Sequence, residues 1–342
     1  MTTTTVFVSG ATGYIAQNVC KVLLEKSYRV IGTVRSTSKG DHLKDLFNSP
    51  NFEYEIVEDV GQEGAFDKAL QNHPEATIFL HTASPFHFRA TDIEKELLLP
   101  AVDGTKNALK AIKQYGTNIT NVVITSSYAA VSTANVEIDP TATVTESSWN
   151  EIKWDQALKD VVSGYRGSKT FAERAAWDFV EQEKPGFVLT SVNPSFVFGP
   201  QAYDSEVKDN LNTSSEIINN ILKLGPEGKL PPTRGGFVDV RDVAKAHIVA
   251  FEKKEAHGQR LVLNSGRFSS QTIVDILNDE FKEELKGKIP VGVPGSDKEA
   301  IAGLCKVDTS KTNATLGFEL IPIRKTVVDS VRQILNARKQ KL

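Results

Sequence analysis

Short β-branched apolar runs alternate with longer stretches of helical period over the first two thirds of the chain. The runs are Val6-Phe7-Val8, Val30-Ile31-Gly32-Thr33-Val34, Tyr54-Glu55-Ile56-Val57, Thr77-Ile78-Phe79-Leu80, Val122-Val123-Ile124-Thr125 and Phe187-Val188-Leu189-Thr190-Ser191-Val192. Between the first two, Ile15, Val19, Val22 and Leu23 fall on one face of a helix. Strands spaced by helices imply right-handed crossovers and a parallel sheet covered on both faces. The pattern predicts an α/β fold, a doubly wound parallel sheet of the Rossmann type.

After Pro194 the pattern loosens. It predicts a helix over 214–224, a Pro/Gly-rich stretch from Gly225-Pro226 to Gly235-Gly236, and a strand at Phe237-Val238-Asp239-Val240 leading into a helix over 242–251. Two more helices are expected near 271–277 and 323–337. These segments read as a smaller, mostly helical substrate-binding lobe. The nucleotide-binding domain is expected over 1–193 and about 236–265, and the lobe over about 194–235 and 266–342, a discontinuous division.

Composition narrows the function classes. Apolar residues are 40% and charged residues 24% of 342, which is ordinary for a globular protein. A net charge of −3 supplies no basic field for nucleic acid or anionic lipid. No run of about eighteen apolar residues suggests a membrane span. The opening Met-Thr-Thr-Thr-Thr-Val-Phe-Val does not resemble a signal peptide, so a cytoplasmic protein is expected. Cys20 and Cys305 lie far apart and the six histidines form no ligand pattern, so no metal is expected. His81 and His247 read as core or supporting residues, and Asp239 and Asp242 as ion-pair partners around Arg241.

Candidate chemistry gathers at the ends of the predicted strands. Gly10 and Gly13 sit in the turn from the first strand to the first helix, where Gly10 permits a tight turn and Gly13 allows close approach of a pyrophosphate. Ala16 is small enough for helix-on-strand packing. The second strand ends at Arg35, with Lys39 four residues on, where an NAD-selective site would place a carboxylate. A guanidinium there suits a 2′-phosphate, so NADP(H) is the expected cofactor. Tyr165 and Lys169 are four apart on a predicted helix and share a face. The ammonium is expected to lower the tyrosine pKa, and the tyrosine to act as general acid toward a carbonyl oxygen. Ser127, at the end of the Val122-Val123-Ile124 strand, is placed to donate to that oxygen. His81-Thr82-Ala83-Ser84-Pro85 ends the fourth strand in the same layer and is expected to line the cofactor.

Gly10-x-x-Gly13-x-x-Ala16, Ser127, Tyr165-x-x-x-Lys169, Asn193-Pro194 and Asp239-Val240-Arg241-Asp242-Val243-Ala244 together resemble the extended short-chain dehydrogenase/reductases. Thr33-Val34-Arg35, His81-Thr82-Ala83-Ser84-Pro85 and Glu146-Ser147-Ser148-Trp149 resemble their dihydroflavonol-reductase-like branch. Ala16 replaces the third glycine of the family fingerprint. The resemblance implies a catalytic triad of Ser127, Tyr165 and Lys169 and a cofactor site of Gly10, Thr12, Gly13, Tyr14, Ile15, Arg35, Lys39, Asp59, Val60, Thr82, Ala83 and Ser84. Pro194 and Val197 would touch the nicotinamide end, and Phe86, Tyr128, Val162 and Phe196 would form the substrate pocket. It also implies NADPH-dependent reduction of small aldehydes and ketones such as methylglyoxal, 3-methylbutanal, diketones and aryl ketones, by a monomer or homodimer. Two rival readings are a nucleotide-sugar epimerase or dehydratase, which would need an acidic end to the second strand, and an NADP-sensing regulator, which would not need Tyr165.

Overall fold

The computed structural model describes residues 4–84 and 90–340. Among the described residues the strands are β1 (Thr5–Ser9), β2 (Arg29–Val34), β3 (Phe52–Ile56), β4 (Ala76–His81), β5 (Asn121–Thr125), β6 (Thr143–Val144), β7 (Val188–Pro194), β8 (Phe196–Phe198), β9 (Arg234–Asp239), β10 (Arg260–Leu263), β11 (Gly266–Ser269) and β12 (Lys306–Val307). Seven of them form one parallel sheet in the order β10-β7-β5-β4-β1-β2-β3. The chain starts in the middle, winds outward to β3, then returns and winds out the other way. That reversal opens a crevice at the C-terminal edge beside β1 and β4, where ligands of such sheets bind.

The longer helices are α1 (Tyr14–Glu25), α2 (Thr37–Phe47), α3 (Leu99–Tyr115), α4 (Val161–Glu183), α5 (Thr213–Ile221), α6 (Val240–Glu252), α7 (Ser270–Glu280) and α8 (Ile323–Gln340). Alternate strand residues point to opposite faces, which is why these strands read as continuous apolar runs. Val6, Val8, Val30 and Leu80 pack with Val19 and Leu23 of α1 and with Val243 and Phe251 of α6. Phe7, Ile31, Phe79 and Val122 pack on the other face with Leu109 and Ile112 of α3 and Ala176 of α4.

A second sheet, β11-β9-β8, carries the smaller lobe. Phe198, Phe237 and Phe268 join Ile218, Leu277, Val327 and Val331 in its own core, under α5, α7 and α8. The expected strand at 237–240 is β9. It starts at Arg234, ends at Asp239 and pairs with β8 and β11, while Val240 opens α6 because the Asp239 carboxylate caps that helix by accepting from Arg241 N–H. The apolar pattern does not single out the four-residue β10, which closes the main sheet beside β7. A short pairing of β12 with β6 ties the C-terminal segment across the same edge. No helix among the described residues is long and apolar enough to cross a membrane.

Candidate active site and cofactor cleft

The turn after β1 is built around Gly10, whose φ of +68° lies in the left-handed region. A Cβ there would come within 3.0 Å of Ala83 Cα and Cβ, so the turn is pressed onto the exit of β4. Gly10 N–H donates to Thr33 Oγ1 at 3.0 Å and Ala11 N–H to Thr33 O at 2.9 Å, which fixes the turn against β2. Gly13 is different. A Cβ on it would meet only Gly10 O at 3.4 Å and Ala16 Cβ at 3.8 Å, ordinary contacts. The protein's own packing therefore does not demand glycine at this helix start, and the space it leaves open fits a phosphate drawn to the α1 amides. Thr12 and Gly13 are exposed. The Tyr14 side chain turns inward, donating from its hydroxyl to Gly199 O at 2.7 Å, and burial keeps its phenol protonated. Only the backbones of Tyr14 and Ile15 belong to the α1 amide cluster.

Arg35 follows β2 directly, Ser36 is the N-cap of α2, and Lys39 lies in the first turn of that helix. Both cations are exposed, and among the described residues neither has a carboxylate partner. Two cations beside a helix N-terminus give this edge of the sheet a positive potential. Asp59 and Val60 follow β3 on the same edge. Asp59 Oδ1 accepts from Gly61 N–H at 2.9 Å, and Val60 O accepts from Asn107 Nδ2 at 3.3 Å.

At the exit of β4, Ser9 Oγ accepts the N–H groups of both Thr82 and Ala83 at 3.1 Å and lies 2.9 Å from His81 Nδ1. With its lone pairs engaged, the serine gives its proton to Nδ1, which assigns the His81 proton to Nε2. Burial pushes the His81 pKa down to about 4, with the Lys169 ammonium adding to the effect, so the ring is neutral. The Thr82 hydroxyl donates to Ser9 O. These bonds hold Thr82, Ala83 and Ser84 along the cleft. Phe86 lies outside the described residues.

Helix α4 starts at Asp160, whose carboxylate accepts from Val162 N–H at 3.0 Å and Ser163 N–H at 2.9 Å. Tyr165 and Lys169 then stack one turn apart on the cleft side. The Tyr165 hydroxyl donates to Ser127 Oγ at 3.2 Å. Ser127 Oγ also accepts from Ala129 N–H at 3.1 Å, which leaves its own O–H to point at a third group.

The expectation that Lys169 lowers the Tyr165 pKa is corrected by the structure. Burial dominates and raises it, while the Ser127 hydrogen bond and the Arg166 charge offset only part. Tyr165 is thus a protonated acid at rest. Lys169 is half-buried, without a hydrogen bond or ion pair among the described residues, and desolvation brings its pKa down to about 8, with Glu173 working against the fall. A lysine in that state is an open donor.

Above the pair lies a cavity of about 210 Å³ that brings together Ser127, Tyr128, Val162, Tyr165, Pro194 and Phe196. Val197, the middle residue of β8, stands apart with its side chain in the main core, and Lys169 is not on the cavity wall. The apolar pattern missed the cavity's polar members. Arg166 holds Glu137 in a two-pronged bond at 2.8 and 2.7 Å, Arg267 donates to the carbonyls of Ile301 and Cys305, and Cys305 Sγ lies 3.5 Å from the Tyr128 hydroxyl. Their elements are far apart in sequence, and only the adjacency of Arg166 to Tyr165 gave any signal.

A family model described as the NAD dependent epimerase/dehydratase family matches residues 6–266. A protein of Candida albicans named as a putative NADPH-dependent methylglyoxal reductase is 54% identical, over 97% of this chain and 98% of its own. The NADPH-dependent methylglyoxal reductase of Saccharomyces cerevisiae is 48% identical over 96% and 98%. Among solved structures, Gre2 of Candida albicans in complex with NADPH superposes with a TM-score of 0.96 at 63% identity, covering 98% of this chain and 99% of that one. Yeast methylglyoxal/isovaleraldehyde reductase with NADPH gives 0.96 at 47% over the same shares.

Proposed function

The chain belongs to the NAD dependent epimerase/dehydratase family, the extended short-chain dehydrogenase/reductases, and from that membership we propose that it is an NADPH-dependent reductase of small aldehydes and ketones. The observation that carries the reading is the 3.2 Å contact of the Tyr165 hydroxyl with Ser127 under a mostly apolar cavity. The names of the relatives support methylglyoxal and 3-methylbutanal (isovaleraldehyde) as substrates. Diketones and aryl ketones of similar size suit the same walls, made by Tyr128, Val162 and Phe196.

Arg35 and Lys39 would hold the 2′-phosphate, and the amides from Thr12 to Ile15, with the open side of Gly13, the pyrophosphate. Asp59, Val60 and the Thr82–Ser84 segment would line the cleft, Lys169 would donate to the nicotinamide ribose, and Pro194 would back the nicotinamide, a place the buried Val197 does not reach. The cofactor, when bound, supplies a hydride to the carbonyl carbon. Ser127 donates its free O–H to the carbonyl oxygen and stabilises the charge that gathers there. Tyr165 transfers its proton to that oxygen, so that hydride and proton together make the alcohol. A high pKa suits this step, because the acid must be protonated when the carbonyl binds. The phenolate left behind is stabilised by the Ser127 hydrogen bond and the Arg166 charge until solvent restores the proton.

The test is loss of absorbance at the reduced-nicotinamide band with methylglyoxal, 3-methylbutanal, a diketone and an aryl ketone, against NADPH and NADH. The expected result is turnover with NADPH that falls about 10²- to 10⁴-fold in Tyr165→Phe. Undiminished turnover in that variant would overturn the mechanism. Thermal protection by a nucleotide-sugar, without turnover of any carbonyl, would replace the reading with the epimerase one.

A further inference from the structure

Beneath Tyr165 and Lys169, the same face of α4 carries a third polar residue, Glu173, which is 1% exposed. Its spacing of four from Lys169 and eight from Tyr165 continues the row into the protein. The carboxylate is the hub of a buried network. Oε2 accepts from Ser126 Oγ at 2.5 Å and from Asn193 Nδ2 at 2.6 Å. Oε1 accepts from Ser191 Oγ at 3.1 Å, Trp177 Nε1 at 3.3 Å and Arg260 Nε at 2.6 Å. The donors come from the end of β5, from β7, from β10 and from α4 itself.

Two of these spokes end at the reaction centre. Ser126 is the chain neighbour of Ser127, and Asn193, which also donates to Ser127 O at 3.3 Å, is the neighbour of Pro194. Arg260 extends the network outward, donating to Glu146 O at 3.0 Å, Ser148 O at 2.5 Å and Ala130 O at 3.4 Å, with its guanidinium 3.7 Å from the Trp149 ring centroid. The loops on either side of Ser127 are therefore fastened to one ion pair. A buried pair of this kind contributes little net stability compared with apolar packing, so its position calls for another role.

We propose that Glu173, clamped by Arg260, is the positioning residue of the reaction centre, fixing Ser127 through Ser126 and Asn193 and placing a carboxylate one helical turn from the Lys169 ammonium. This rests on the reductase reading above. Among the described residues the charged and titratable groups around Lys169 are Tyr165 and Glu173 on its own helix and His81, neutral, from β4; Arg260 stands behind Glu173 from β10. Glu173 is the anion in that set, and it acts to keep Lys169 protonated against desolvation.

The experiment measures kcat, KM and the pH profile of NADPH oxidation with methylglyoxal for Glu173→Gln, Ser126→Ala and Tyr165→Phe. Glu173→Gln should lower kcat about 10- to 100-fold through misplacement of Ser127. It should also move the alkaline limb of kcat/KM down by about one pH unit, because the carboxylate no longer supports the ammonium. Ser126→Ala removes one spoke and leaves the ion pair intact, so it should lower kcat with the limb unmoved. If Glu173→Gln does not fold, Ser126→Ala still decides whether Ser127 is held through its neighbour. Variants that lose thermal stability but keep wild-type kcat and limb would reduce Glu173 to a structural role and overturn the proposal. An active Tyr165→Phe would instead overturn the reading beneath it, so the two failures are distinguishable.

Discussion

Arg35 offers the sharpest test of cofactor choice, because the geometry predicts an effect on one nucleotide and not the other. Among the described residues its guanidinium has no carboxylate partner, and it stands at the end of β2 near the α2 N-terminus and Lys39. A hydrogen bond to a charged group contributes about 1.5–3 kcal/mol. Exposure and ionic screening favour the lower end of that range, about 1.5–2 kcal/mol. With tenfold for each 1.4 kcal/mol, Arg35→Ala should raise the KM for NADPH about 10- to 30-fold. The KM for NADH should stay within about twofold, since no 2′-phosphate reaches Arg35. Lys39 and the α2 amides remain in this variant, so NADPH should keep some preference, and Arg35→Ala/Lys39→Ala should lower it further, leaving only the amides' share. Initial rates with both nucleotides at low and at high salt provide the assay, and the NADPH advantage should shrink with salt. An equal loss for the two nucleotides would mean that Arg35 supports the loop rather than the phosphate. No loss for either would refute the assignment.

Two further outcomes follow from the cleft. Lys169 is protonated below its pKa of about 8 and neutral above it, so kcat/KM for NADPH should fall as pH rises through that value, and a limb that stays flat to pH 9.5 would refute an ammonium role. The stability linkage has the opposite sign: the folded pKa lies below the unfolded value of 10.5, the unfolded chain binds more protons between the two, and the urea midpoint should rise with pH in that window and lose the rise in Lys169→Met. Gly10→Val puts a β-branched residue at φ +68° and within 3.0 Å of Ala83; it should cost about 2 kcal/mol or more and abolish NADPH binding, whereas an unchanged urea midpoint would refute the account of the turn.

The sheet was legible in the sequence because its strands are buried on both faces, and runs such as Val122-Val123-Ile124 announce themselves without alternation. The glycine turn, Arg35 and the Tyr165–Lys169 spacing were legible for a related reason: each lies within one turn or one strand end, where local geometry determines what the residues can do. The smaller lobe was less legible. Its sheet pairs residues 41 positions apart between β8 and β9, and nothing local in Arg234-Gly235-Gly236-Phe237 distinguishes a strand of that sheet from one of the main sheet.

The same argument explains why the polar supports escaped notice. Glu173 follows Lys169 by one helical turn, which on a surface helix would be an ordinary solvated pair. It acquires meaning only when the fold brings Arg260 from 87 positions away and Ser126 from 47, since a buried carboxylate needs partners that sequence spacing cannot reveal. The Tyr165 pKa shows the converse. Spacing placed a cation beside the tyrosine and so predicted a low value, but desolvation depends on what covers the residue, and that cover comes from other elements. Local spacing thus picks out the groups that line the cleft, whereas their charge states are set by burial, a property of the assembled fold. For the general acid proposed above the difference matters, because a raised pKa keeps the Tyr165 hydroxyl protonated when a carbonyl binds.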